Sequence, residues 1–223
     1  MILLLKILLW FLYAILAFFL IVTIRKLWLR KTLYPLLPLK YNFGKRRDTL
    51  RAALRLLESR GAKTLVETGT ARGGLSRTKA EGASTVVFGV WAKRHGAHLH
   101  SVDIQKESID QARNAVIETQ LTDVVHFHES DSVAFLSGFD EPVDFLYLDS
   151  FDWHHDPAVQ QACQEHHLKE FEAIEKRLQP HSVVLIDDCG VAGGGKGKLV
   201  IEKMLSSGWR TVRSEYQVLL VRQ

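Results

Sequence analysis

The feature that most constrains this chain is how its apolar runs end. Runs at 64–68, 98–104, 124–128, 143–149 and 182–187 read as strands, with helical spacing between them at about 84–95, 106–120, 131–137, 158–179 and 197–207. Strands separated by helices of this length make βαβ units, hence a parallel sheet with helices on both faces. Four of the runs reach an acid at or just after their carboxyl end: Glu67, Asp103, Asp149 and the pair Asp187-Asp188. In an open α/β sheet, ligands bind outside the carboxyl ends of the strands, where strand order reverses. The pattern therefore gathers separate acids into one site. The stretches 210–216 and 217–223 read as two strands with almost no connection, so they must be antiparallel neighbours.

The amino-terminal part is a different kind of sequence. Ile2 to Ile24 is almost wholly apolar, with Lys6 its only charge, which is long enough to span a bilayer. A signal peptide would need a basic start, a shorter apolar core and a small-residue cleavage site, and a buried soluble helix would need a polar face. Residues 1–24 are expected to be an uncleaved membrane anchor. From Arg25 to Arg47 there are eight basic residues and no acid, and all 25 Asp and Glu lie from Asp48 onward. With Lys6, that segment takes nine of the 29 Lys and Arg, leaving 20 basic against 25 acidic residues, a net charge of −5. The basic character thus belongs to a juxtamembrane linker, 25–47, and the globular domain is expected over 48–223. This argues against nucleic acid and for anionic lipid headgroups as the partner of the basic stretch. By the positive-inside rule the domain should lie on the cytoplasmic side. Cys163 and Cys189 give no disulfide framework.

The loop Glu67-Thr68-Gly69-Thr70-Ala71-Arg72-Gly73 leaves the first strand toward the next helical segment, and glycine there lets backbone approach a ligand closely. Asp103, one βα unit later, can accept both hydroxyls of a ribose. Asp131 stands where it could contact an adenine or cap a helix, or both. These residues, with the closing hairpin, resemble the class I S-adenosylmethionine-dependent methyltransferases over roughly residues 48–223. The resemblance implies a Rossmann-like, doubly wound sheet of seven strands, mostly parallel with an antiparallel last strand. It also implies S-adenosylmethionine as cofactor, held by Glu67, Gly69, Thr70, Gly73, Asp103 and Asp131. One departure is the segment 75–83, which intervenes before the helix and is free to cover a ligand or meet a substrate.

Asp149, Asp187 and Asp188 would converge on neighbouring strands, where their repulsion calls for a compensating cation or proton. Hard oxygen ligands suit a divalent ion, Mg²⁺ first. The arrangement is similar to that of metal-dependent O-methyltransferases of the macrocin and cephalosporin-hydroxylase-like type, which implies a metal on these three residues. Candidate catalytic residues are Asp149, His154 on the loop before the long helix, and His166 on that helix. His155 and His167 are their neighbours, and the sequence does not choose among the histidines. His166 and Glu170 share a face at i and i+4, whereas His167 falls on an apolar stripe with Phe171 and Ile174. Gly190 to Lys196 fits a phosphate-loop spacing, but Gly197 stands where a Ser or Thr is required, and too little chain remains beyond it for that fold.

The expected activity is methyl transfer to a hydroxyl of a small molecule, a sugar or a lipid-linked acceptor. The alternatives are an oxidative or hydrolytic enzyme on the same scaffold, or a non-catalytic tethered binding protein, because fold does not fix function.

Overall fold

The computed structural model describes residues 2–222. Helix α1 (Ile2–Leu29) is followed by an irregular stretch, then by α2 (Arg47–Arg60), β1 (Thr64–Thr68), the short α3 (Thr78–Glu81) and α4 (Ser84–His95). The chain continues through β2 (His98–Asp103), α5 (Lys106–Glu118), β3 (Val125–Glu129), α6 (Ser132–Gly138) and β4 (Val143–Leu148). It closes with α7 (Pro157–Ile174), β5 (Leu178–Ile186), α8 (Lys198–Ser206), β6 (Trp209–Ser214) and β7 (Val218–Arg222). The strands form one seven-stranded sheet in the order β3-β2-β1-β4-β5-β7-β6. β1 to β5 pair in parallel, while β7 runs antiparallel to both β5 and β6. Strand order reverses between β1 and β4, so a crevice opens at their carboxyl ends.

The central strands β1 and β4 and the carboxyl half of β5 are buried on both faces, which is why they read as nearly continuous apolar runs. In β4, Phe145 and Tyr147 enter one core while Leu146 and Leu148 enter the other. The first core is completed by Leu50, Leu54 and Leu57 of α2, Val87, Phe88 and Trp91 of α4, and Val116 of α5. The second takes Leu136 of α6, Phe171 and Ile174 of α7, and Val200 and Met204 of α8. Helix ends follow local chemistry. Gly61 closes α2 at φ +63°, and Asp156 caps α7 by accepting from the Ala158 amide at 2.9 Å, with Pro157 in its first turn.

Two boundaries differ from the sequence reading. The long helix ends at Ile174 and β5 begins at Leu178, earlier than spacing suggested, because Pro180 forces the residue before it out of helical geometry. The basic stretch before residue 48 is also no free tether. Leu33, Leu37 and Phe43 are buried in the first core, and the Phe43 amide donates to the Lys31 carbonyl at 2.8 Å. Three apolar side chains spaced among eight cations were masked by the charge around them.

Candidate active site

The sheet ladder runs on beyond the strands and fixes the acids along one rim. The Gly69 amide donates to the Val102 carbonyl, Asp149 N–H to Thr68, and Asp187 N–H to Leu148. Glu67, Asp103, Asp149 and Asp187 therefore stand at the same end of β1, β2, β4 and β5. A cavity of about 620 Å³ lies over this rim, a size suited to a small-molecule ligand. At one end are Gly69, Thr70, Val102, Asp103, Asp131 and Ser132, and at the other Asp149, Phe151, His166, Asp188, Lys196 and Tyr216.

Of the residues expected to hold a cofactor, Gly69, Thr70, Asp103 and Asp131 line the cavity, while Glu67 and Gly73 do not. Gly69 has φ +82°, and a Cβ there would run into the Asp149 carbonyl, so only glycine lets β1 and β4 approach this closely. Asp103 accepts from the Thr70 amide at 3.1 Å and the Gln105 amide at 2.8 Å, which fixes the carboxylate while leaving lone pairs open to the cavity. Asp131 lines the cavity and also caps α6, accepting from the Ala134 amide at 2.9 Å. Glu67 is fully buried behind the loop. It accepts from Thr85 Oγ1 and Ser101 Oγ, both at 2.8 Å, and from Ser84 Oγ. Ser101 Oγ is in turn 3.1 Å from Thr70 Oγ1. Glu67 thus ties the start of α4 to β1 and β2 and positions Thr70, rather than reaching a ligand. Burial pushes its carboxyl up to about 7, against the pull of the three hydroxyls. Gly73 also departs from expectation. It lies outside this cavity, its amide donating to Glu81 at 3.1 Å, because the inserted segment turns there instead of entering a helix. That segment does reach the cavity through Ala80 and Glu81.

At the other end of the cavity the three aspartates meet, with two cations among them. Lys196 Nζ lies 2.8 Å from Asp149 Oδ1 and 3.2 Å from Asp188 Oδ2. Arg46 Nε lies 2.7 Å from Asp187 Oδ2, and its Nη2 lies 3.3 Å from Asp188 Oδ1. Tyr147 OH donates at 3.0 Å to Asp187, and Tyr216 OH donates to Asp188. Burial opposes the charge on Lys196, but Asp149, Asp188 and Asp187 outweigh it and hold the ammonium above its ordinary value. Asp188 is held low despite burial by Lys196, the Tyr216 hydroxyl and Arg46. Asp149 is pushed well above the carboxylate range by burial and by Asp187 and Asp188, in spite of Lys196. This donor set does not fit the expected divalent ion: an ion shared by Asp149 and Asp188 needs oxygen contacts at roughly 2.0–2.6 Å, in the volume that Nζ fills. Among the described residues no group of three His, Cys, Asp or Glu is arranged to hold a metal.

The histidines separate cleanly. His154 is exposed and outside the cavity, its Nδ1 accepting from the Asp156 amide at 3.1 Å, so it organises its own loop and stands apart from the rim. His155 is exposed as well. His166 lines the cavity, with Nε2 3.1 Å from Ser132 Oγ and 3.3 Å from Glu170 Oε1, and Glu170 raises its pKa. His167 is buried beside Phe171, bonded at 2.8 Å to the Cys163 carbonyl, and burial lowers it to about 4. Arg46, Tyr147 and Tyr216 escaped the sequence reading. Arg46 was one of eight equivalent cations, and the tyrosines carried no spacing signal. Lys196 did carry one, as the end of a glycine run.

A family model described as a methyltransferase domain matches residues 79–189, from α3 to just past β5. No curated protein matches. Solved structures share the fold. A putative caffeoyl-CoA O-methyltransferase from Staphylococcus aureus superposes with a TM-score of 0.58 at 16% identity, covering 78% of this chain and 83% of that one. The Podospora anserina methyltransferase PaMTH1, in its SAH-bound form, gives 0.59 at 13% identity, with 79% of each chain covered. An O-methyltransferase from Bacillus cereus in complex with SAH gives 0.54 at 17%, covering 78% and 81%. A methyltransferase domain model thus matches the chain from the inserted segment to Asp187 and Asp188, on a fold shared with these solved methyltransferases.

Proposed function

We propose that this protein is a membrane-anchored O-methyltransferase acting on a hydroxyl of a small, sugar or lipid-linked acceptor. The observation that carries this reading is the single cavity with Asp103 at one end and Asp149 at the other. When bound, S-adenosylmethionine supplies a methyl group on a sulfonium, which leaves as a neutral thioether with the electron pair of the broken C–S bond. Asp103 would take the ribose hydroxyls, with Gly69 and the Thr70 backbone against the methionine part and Asp131-Ser132 with the exposed Ile104 around the adenine. Asp149 would act as the base: in its ionised form, whose hold on a proton is strengthened by burial, it would take the acceptor O–H proton as the oxygen accepts the methyl group. The rest of the protein's contribution is to hold the two reactants in line and exclude water. Phe151 and the Arg72–Asp152 pair, 3.1 Å apart, border the entrance from opposite loops.

Anchoring rests on α1, which is long and apolar enough to cross a membrane, its described side chains exposed. The basic residues that follow support a cytoplasmic placement of the domain against anionic headgroups. An enzyme held there meets membrane-partitioned acceptors first. The test is calorimetry of the purified chain with S-adenosylhomocysteine, followed by transfer of a labelled methyl group from S-adenosylmethionine into membrane extracts. Absence of binding would remove the enzymatic reading, and label entering only protein would remove the small-molecule acceptor.

A further inference from the structure

The glycine run that imitates a phosphate loop has a different use. Gly193, Gly194 and Gly195 take φ of +77°, +88° and +63°, three successive left-handed positions that other residues rarely adopt. A Cβ on Gly195 would overlap the Asp188 carbonyl. The turn is pinned by Gln164 Nε2, which donates to the Gly193 and Gly195 carbonyls at 3.2 and 3.1 Å. Its result is to bring the next residue, Lys196, inward until it is 1% exposed. Its ammonium donates to Asp149 Oδ1 at 2.8 Å, the Ser150 carbonyl at 3.2 Å and the Asp149 carbonyl at 3.4 Å, and it forms an ion pair with Asp188 Oδ2 at 3.2 Å. Arg46 enters from the opposite side, from the segment that joins α1 to the domain, and takes Asp187. A buried lysine with every proton assigned, delivered by a backbone that only glycine permits, is a built feature of the fold.

We propose that Lys196, seconded by Arg46, is a built-in cation that stands in the place of a divalent metal, so that this methyltransferase positions its acceptor-side carboxylates without one. The inference rests on the methyl-transfer reading for its purpose, and on the geometry alone for the cation. Two cations already stand among the three aspartates, and Asp149 and Asp188 are the two that line the cavity. An added divalent ion would have to displace the ammonium or sit against it, and like charges that close repel strongly. Lys196 is a positioning residue: it has no proton left for a substrate, and it fixes the carboxylate of Asp149 toward the acceptor hydroxyl.

The experiment uses the full chain in detergent, with Mn²⁺ titrated by electron paramagnetic resonance and S-adenosylhomocysteine binding followed by calorimetry. In the wild type, no saturable Mn²⁺ site tighter than about 1 mM is expected, and cofactor binding should be the same in EDTA as in Mg²⁺. In Lys196→Ala a Mn²⁺ site should appear, at least tenfold tighter than any in the wild type, and Lys196→Arg should remain without one. Where Lys196→Ala is too unstable to purify, Lys196→Gln, which keeps the length and drops the charge, is read the same way. A micromolar Mn²⁺ site in the wild type that Asp188→Asn abolishes would overturn the proposal. So would a folded, charge-free variant that gains no Mn²⁺ affinity. Failure of the wild type to bind S-adenosylhomocysteine sinks the methyltransferase reading instead, and leaves the Mn²⁺ comparison standing.

Discussion

Asp103 and Glu67 sit one strand apart, end at the same rim and do different things. Asp103 is fixed by two backbone amides and opens to the cavity, so Asp103→Ala removes a ligand contact while the fold keeps its core. Loss of a charge-assisted hydrogen bond to a ribose is worth roughly 1.5–3 kcal/mol, and calorimetry should record an affinity for S-adenosylhomocysteine lower by about 10- to 100-fold. An unchanged affinity would place the cofactor elsewhere. Glu67 should affect stability and its pH dependence. Its ordinary value of 4.5 applies to the unfolded chain and about 7 to the folded one. Because the native state keeps the proton longer, its contribution is fully present below pH 4.5 and is lost as pH rises through 7. The wild type should therefore lose up to about 3 kcal/mol across that window relative to Glu67→Gln, which has nothing to titrate there. Denaturant midpoints of the two proteins between pH 4.5 and 7.5 measure the difference, and parallel curves would show that Glu67 is ionised throughout.

At the level of elements, the central strands and their terminal acids were legible because β1, β4 and the end of β5 are buried on both faces and leave little freedom in composition. Ser84–His95 has the bounds that spacing gave it, since Gly96 ends it where a left-handed residue is needed. What spacing cannot express is contact between distant segments. Phe43 falls within the cationic linker 25–47, yet it is completely buried against the first core. Phe43→Ala should cost about 3–5 kcal/mol, as for large core aromatics generally, and chemical denaturation would read this directly. A cost under about 1 kcal/mol would mean that the stretch before residue 47 is only loosely attached. Arg46 should be equally revealing, because Asp187 is completely buried and Arg46 is its charged partner. Arg46→Ala leaves that carboxylate with Tyr147 alone among its side-chain donors, and removing one member of such a pair costs about 3–5 kcal/mol. Neither residue carried a signal beyond its neighbours' charge, whereas Lys196 was marked by three glycines before it that no ordinary helix entry requires.

At the scale of the whole molecule, charge and hydropathy are segregated along the chain in a way that fixes how it should sit at a membrane. The domain beyond residue 47 is net negative, so attraction to an anionic surface must come from the basic stretch. Of its cations, Arg25, Arg30, Lys31, Lys40 and Lys45 are exposed, while Arg46 is committed to the rim of the cavity. Five exposed basic residues offer at most about 5 kcal/mol of attraction to anionic headgroups, and that attraction is screened within about 10 Å at 0.1 M salt. A transmembrane α1 contributes far more and is indifferent to salt. The full chain should consequently stay with phosphatidylserine-containing vesicles through washes at about 1 M salt, where the Debye length falls to about 3 Å. A chain beginning at Arg30 should bind the same vesicles in low salt, release as salt rises, and ignore neutral vesicles at any salt. Flotation of both proteins on both vesicle types distinguishes the contributions. Release of the full chain by salt alone would show that α1 does not span the bilayer. Retention of the shortened chain on neutral vesicles would point to an apolar surface of the domain itself. Because Arg46 lies at the end of the basic stretch and grips Asp187 and Asp188, the shortened chain also reports on the rim. Its affinity for S-adenosylhomocysteine should match that of the full chain if the anchor only places the enzyme, and should rise on vesicle binding if the anchor also tightens the site.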